Sequence, residues 1–495
     1  MRSVLALDQG TTGSTALVIS ADGRVLGRGY REFKQHFPQP GWVEHEPADL
    51  LQATLDAARE ALAAAAVTPV CIGITNQRET IVVWDKVTGV PVHRAIVWQD
   101  RRTADRCTAL AGSKDFIAAR TGLVLDAYFS ATKVEWLLRS NGGLMKRALN
   151  GELLAGTVDS WLIWQLTDGA VHATDPTNAS RTMLYDIDTR AWSDELCELF
   201  GVPRIMLPEV RRSRGDFGVA TARHLGLALP ITGVAGDQKS ALFGQGCVLP
   251  GEAKNTYGTG AFMLMNTGQT RPSLGDGLLT TIACDADGAP CYALEAAIFV
   301  AGAAVQWIRD GLGLIATASE TEALASGLAS NDGVYFVPAL TGLGAPHWEA
   351  EARGTMVGLT RGTTRAHIVR AALEAMAFGT ADVMQSMQTR SGVTLDALRV
   401  DGGASSNGWL MQFQADVLGV PVERPALVET TALGAAGLAG LHTGVWSNAS
   451  EFRRAQLVSI IPPGSGAADA RVAYLGWGRA VRAALGWARD GRSMS

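Results

Sequence analysis

Leu5–Ser20 reads LALDQGTTGSTALVIS, two short apolar runs split by a polar turn that contains Gly10 and Gly13. Both runs have strand character, so the turn joins a strand to a strand. That arrangement excludes two common nucleotide loops. A P-loop needs G-x-x-x-x-G-K-[ST] ahead of a helix, and the chain contains no Gly-Lys pair. A G-x-G-x-x-G fingerprint at a strand–helix turn is also missing. What the turn does offer is backbone N–H groups freed by glycine, with hydroxyls from Thr11, Thr12 and Ser14, which suits an anion nest. Asp8, at the end of the first strand, would repel a bare phosphate. It serves one only through a divalent cation such as Mg²⁺, which takes carboxylate, water and phosphate oxygens together. In isolation, a plain polar hairpin has the same sequence character.

The motif returns. Ala253–Gly268 is again strand, Gly258-Thr259-Gly260 turn, strand, and Val400–Asn407 (VDGGASSN) is a strand followed by glycines and small hydroxyls, where an adenosine could lie against backbone. Between these, Ala21-Asp22-Gly23 is a hairpin signal and a helix starts near Pro47. The runs VCIGIT and TIVVWD read as buried strands. Helices are predicted over AAIFVAGAAVQWIRDGL and over AHIVRAALEAMAFGTADVMQSM. The expectation is an α/β chain with mixed sheets. Its 495 residues divide near Gly244–Pro250 into domains 1–245 and 246–495 with a nucleotide cleft between them.

Charge and cysteine narrow the function classes. A net charge of −5 without a basic block argues against nucleic acid as a partner. Six cysteines with no C-x-x-C spacing read as free thiols in a reducing compartment. With no signal-peptide pattern and no run of about 18 apolar residues, the expected setting is cytoplasmic, with no membrane insertion.

Two further clusters carry chemistry. In GITNQRET, Arg78 and Glu79 follow an apolar strand; they are either an exposed ion pair or a donor and an acceptor for polyol hydroxyls. Asp237, in ITGVAGDQKSALFG, follows an apolar strand and opens a helix-like run, so it is either an N-cap or a base.

With these residues in view, the chain resembles a known superfamily. DQGTTGST, GTGAF and DGGASSN look like the phosphate-1, phosphate-2 and adenosine segments of the sugar kinase, heat-shock-70 and actin ATPases. YFSATKVEWLLRS and GTMVGLTRGTTRAHIVRAALE resemble the two signatures of the FGGY carbohydrate kinases within it. Further segments, among them GWVEHEP, GITNQRET, IVWQDRR, NASRTMLYD and TGLGAPHW, are similar to the members that act on glycerol, and the likeness runs from residue 5 to about 440.

The resemblance implies two ribonuclease-H-like domains and an ATP-dependent phosphorylation of glycerol to sn-glycerol 3-phosphate in glycerol catabolism. It assigns the catalytic base to Asp237 and Mg²⁺ to Asp8 and Asp237. Glycerol falls to Arg78, Glu79, Trp98, Tyr128, Asp237, Gln238 and Phe262, with the aromatic rings covering the carbon chain. The nucleotide falls to Thr11, Thr12, Gly13, Thr259, Gly302, Gln306, Gly403 and Asn407. Relatives form homodimers or homotetramers. Sister kinases acting on xylulose or gluconate, and a non-kinase ATPase of the superfamily, are the alternatives.

The chain departs from the pattern at Thr15, where better-known members carry Arg, and at Lys239, where they carry Gln. Lys239 either restores the lost charge near the phosphates or is an exposed helix lysine. His224 reads as a surface histidine.

Overall fold

The computed structural model describes residues 2–493. They form two compact units: Met1–Val248 with Thr280–Tyr292 and Glu429–Gln456, and Leu249–Leu279 with Ala293–Val428 and Leu457–Ser495. The division is therefore not two contiguous halves, because a late helix returns to the first unit.

In the first unit a six-stranded sheet runs in the order Val219–Ala220, Leu229–Gly236, Ile72–Asn76, Ser3–Gln9, Gly13–Ser20, Val25–Glu32. Ser3–Gln9 pairs antiparallel with Gly13–Ser20 and parallel with Ile72–Asn76, which in turn pairs parallel with Leu229–Gly236. The sheet is mixed, as alternating hairpins and crossovers require. Helix Pro47–Ala65 begins with proline in its first turn, where no backbone N–H is needed, and turns Leu50, Leu55, Ala58 and Ala61 inward.

Helix Thr430–His442 packs on the same sheet. Its composition, TTALGAAGLAGLH, permits backbone-to-backbone approach: a Cβ at Gly434 would lie 1.8 Å from the Ser240 carbonyl oxygen, and one at Gly73 would lie 2.1 Å from that of Ala435. This close fit is why Glu429–Gln456 joins the first unit rather than the second.

The second unit repeats the plan. Within it a sheet runs residues 293–298, Ala261–Gly268, Glu252–Tyr257, Ala397–Gly402, Val422–Pro425, Val458–Ile461. Glu252–Tyr257 pairs antiparallel with Ala261–Gly268 and parallel with Ala397–Gly402, as in the first sheet. The long helix Arg365–Ser391 is buried on most sides, with Phe378 ringed by Phe413, Tyr474 and Trp477. A helix without a polar face belongs inside a domain.

One sequence reading fails here. The helix predicted from Ala296 starts only at Gly302, because residues through Ile298 form a strand. Alanine-rich runs read as helix in isolation, but pairing in a sheet overrides that preference.

Candidate active site

The first glycine turn is held by its own backbone and by one glutamine. The Gly10 N–H donates to the Gly13 carbonyl at 3.0 Å. Gln77 Nε2 donates to Gln9 Oε1 at 3.0 Å and to the Gly10 carbonyl at 3.1 Å, while Thr80 Oγ1 donates to Gln77 Oε1 at 2.8 Å. Gly13 is required by closeness, since a Cβ there would sit 2.7 Å from the Tyr30 hydroxyl. Thr12 is exposed and Thr11 half-buried, so their hydroxyls are reachable. The Trp98 indole N–H donates to Thr11 Oγ1 at 2.9 Å, which ties this turn to the aromatic residues.

Arg78 and Glu79 are not an exposed pair. They are 4% and 1% exposed. Arg78 Nε lies 3.0 Å from Asp237 Oδ1 and 4.0 Å from Glu79 Oε1, so one buried guanidinium stands between two carboxylates. Gly236 makes room for it: a Cβ there would lie 2.6 Å from Arg78 Cγ. Glu79 has φ of +62°, a left-handed backbone that is unfavourable for a non-glycine residue and typical of functional sites. Its carboxylate accepts from Arg181 Nε at 2.5 Å, and its carbonyl accepts from Ser130 Oγ at 2.8 Å. Arg181 was not singled out from the sequence, although it lies in the quoted run NASRTMLYD.

Asp237 is the first residue of helix Asp237–Gly244, and Gly236 is the N-cap. The capping alternative for Asp237 is thus set aside, and its Oδ1 accepts from the Gln238 N–H at 2.6 Å. Gln238 is half-buried beside it. Asp8 and Asp237 are close enough to interact: burial first, and then the charge of Asp237, push the Asp8 carboxyl up to about 7. Tyr128 meets Trp98 edge-on, their ring centroids 5.4 Å apart. The first unit therefore gathers Asp8, Thr11, Arg78, Glu79, Trp98, Tyr128 and Asp237 around neighbouring loops.

The second unit holds a cavity of about 460 Å³. It is lined by Thr259, Gly302, Gln306, Gly403 and Asn407 together with Arg309 and Glu322. Five of the eight nucleotide residues taken from the resemblance thus meet in one place, while Thr11, Thr12 and Gly13 lie on the first unit. Gly302 caps the turn, its N–H donating to the Gly258 carbonyl at 3.0 Å. Asn407 fixes helix Gly408–Leu418 by accepting from the Leu410 N–H at 2.9 Å, and its Nδ2 donates to Thr321 Oγ1 at 3.1 Å. Arg309 and Glu322 had no distinguishing sequence signal. Phe262 is on this unit too, 44% exposed at the start of strand Ala261–Gly268.

Two further readings are corrected. Lys239 is 1% exposed rather than a surface lysine, and His224 is buried with Nε2 3.3 Å from Asp168 Oδ1. Helix Asp237–Gly244 is buried from Lys239 onward, whereas helix Ala222–Leu225 exposes Arg223 and turns only His224 and Leu225 inward, so exposure cannot be read from position in the chain.

This constellation on a twice-repeated mixed sheet defines a class. Residues 3–244 match the N-terminal domain of the FGGY family of carbohydrate kinases and residues 253–442 its C-terminal domain, and the chain belongs to that family. It is 55% identical to a glycerol kinase of Rhodopirellula baltica across 92% of this chain and 85% of that one. It is 52% identical to glycerol kinase 2 of Thermotoga maritima across 98% and 99%. The solved Plasmodium falciparum glycerol kinase with ADP superposes with a TM-score of 0.91 at 36% identity, covering 98% of each chain.

Proposed function

We infer that this chain is an ATP:glycerol 3-phosphotransferase, forming sn-glycerol 3-phosphate from glycerol. The observation that carries the site assignment is Arg78, buried between the carboxylates of Glu79 and Asp237. A polyol needs donors and acceptors side by side, and a site of this kind rejects analogues lacking a hydroxyl. Arg78 donates to glycerol hydroxyls and Glu79 accepts from them. Trp98 and Tyr128 cover the apolar face of the carbon chain. Gln238 adds an amide to the same ligand.

Asp237 accepts the proton of the terminal hydroxyl as that oxygen attacks the γ-phosphorus of ATP. Arg78, 3.0 Å from Asp237 Oδ1, orients the carboxylate for that task. The backbone N–H groups of the Gly10–Ser14 turn hold phosphate oxygens, and Thr11 and Thr12 add hydroxyl donors. Gly302, Gln306, Gly403 and Asn407 hold the nucleoside.

Asp8 and Asp237 fit a Mg²⁺ ion, because two interacting carboxylates, one raised to about 7 by burial and the other's charge, are a donor set that a divalent cation relieves. Bound there, the ion neutralises charge on the phosphates. Cys71, Cys107, Cys197 and Cys284 are free thiols, which supports a reducing, cytoplasmic setting. Among the described residues, no helix is long and apolar enough to cross a membrane. Self-association as a dimer or tetramer belongs to the same reading, and sedimentation velocity measures it.

ADP release measured with glycerol, dihydroxyacetone, xylulose and gluconate tests the reading. Glycerol is expected to give the highest kcat/KM. A higher value for xylulose or gluconate would transfer the chain to a sister activity, and ADP release indifferent to all four would make it a plain ATPase.

A further inference from the structure

Lys133 has an unusual environment. It lies on helix Ala131–Ser140 and is 0% exposed. Its ammonium donates to the carbonyls of three successive residues, Ala127 at 2.7 Å, Tyr128 at 2.8 Å and Phe129 at 3.4 Å. An ammonium has three donors, and all three are used on one short loop. Three carbonyls aimed at one point repel each other unless a cation sits there. No carboxylate lies within ion-pair distance of Lys133 among the described residues; Glu79, Asp100 and Asp126 act on it from farther away and Arg101 opposes them. Burial lowers the ammonium to about 8, so the conformation of 127–129 is maintained against the tendency of a buried lysine to lose its proton.

The loop pinned in this way carries Tyr128. The guanidinium of Arg181 lies 5.7 Å from the Tyr128 ring centroid and 5.0 Å from that of Phe129, while its Nε holds Glu79. The Ala131 N–H donates to the Thr182 carbonyl at 2.8 Å, and Ser130 Oγ to that of Glu79. Three loops, 76–80, 126–130 and 178–182, are thus joined behind the residues assigned to glycerol.

We propose that Lys133 is a positioning residue for the polyol site, setting Tyr128 against Trp98 and, through Ser130, the backbone of Glu79. The inference rests on the assignment of Glu79 and Tyr128 to glycerol. Lys133 itself touches neither substrate nor phosphate. Its loss therefore acts on glycerol binding and leaves the nucleotide alone, a split that general destabilisation does not produce.

The test compares K133M, K133A and E79Q with the full-length wild type. K133M is expected to raise the glycerol KM by about 10- to 100-fold, as for a sub-ångström to ångström misplacement of a binding group. Its kcat should fall less than its kcat/KM, and its ATP KM should stay at the wild-type value. In K133A, added propylammonium, which replaces the missing carbons and the ammonium, should bring the glycerol KM back toward wild type. This arm also serves if K133M does not accumulate as folded protein. An unchanged glycerol KM in K133M, equal losses in glycerol and ATP KM, or no response of K133A to the amine would overturn the proposal. E79Q separates the two readings: if it leaves the glycerol KM unchanged, the site assignment itself falls. If E79Q raises that KM and K133M does not, only the positioning role falls.

Discussion

The turns Gly10–Ser14 and Gly258–Gly260 each close an antiparallel hairpin whose first strand also pairs with a parallel strand, yet their surroundings differ. Near the first, charge is buried: Arg78, Glu79, Arg181 and Lys133 are each at most 4% exposed, and Asp8 is raised to about 7. The second borders an open cavity of about 460 Å³ whose named polar groups are mostly backbone, hydroxyl and amide. A repeated scaffold thus carries two kinds of site. Buried, mutually fixed charges are costly to assemble but supply oriented electrostatics for a reaction. An open cavity lined by glycine and small polar groups binds and releases a ligand without such strain.

The sharpest challenge to this contrast is Asp237→Asn. Steady-state kinetics should show kcat lowered by about 10²- to 10⁴-fold with both ligands still bound. A variant that keeps most of its turnover would remove the base from the first unit. Arg181→Met addresses the cost of buried charge: it leaves Glu79 only the longer contact to Arg78 at 4.0 Å, and urea denaturation should show a loss of about 3 kcal/mol in the first unit. A loss well under 1 kcal/mol would mean that Glu79 is not held as described.

His45 extends the contrast to pH. It is fully buried, with Nδ1 3.4 Å from Gln77 Nε2, and burial lowers it to about 4 against about 6.5 for an unfolded histidine. The unfolded chain therefore binds the proton first. The stability is present above about pH 6.5 and is lost as pH falls toward 4, by about 2 kcal/mol between pH 7 and 5. His45→Gln should flatten part of that dependence in denaturation at the two pH values, with His172, also lowered to about 4, acting in the same direction and Asp8, raised to about 7, in the opposite one. An equal slope in the variant would exclude His45.

The smallest effect belongs to the second unit. Asn407→Ala removes an N-cap and a contact to Thr321, so about 1 kcal/mol of stability is expected to go. The ATP KM should rise while the glycerol KM holds, and isothermal titration with each ligand checks this. A matching rise in both would erase the distinction between the regions.

Much of this molecule was legible in its residues. The strand–turn–strand pattern, the helix starting at Pro47 and the helix from Arg365 follow from period, glycine and proline, which act locally. Asp8, Arg78, Glu79 and Asp237 stood out because charged residues at the ends of apolar strands are conspicuous. What the chain alone left undecided is which side chains are buried and what they face. Lys239 and His224 looked like surface residues, Arg181 and Lys133 drew no role, and residues 296–298 passed for helix. His224 meets Asp168, 56 residues away, while Lys133 is buried against a loop only four to six residues back. The Glu79–Arg181 pair is separated by 102 positions and the late helix Thr430–His442 closes on strands formed near residue 73. Local propensity acts over a few neighbours, whereas burial and electrostatic shift arise only when distant segments pack and water leaves.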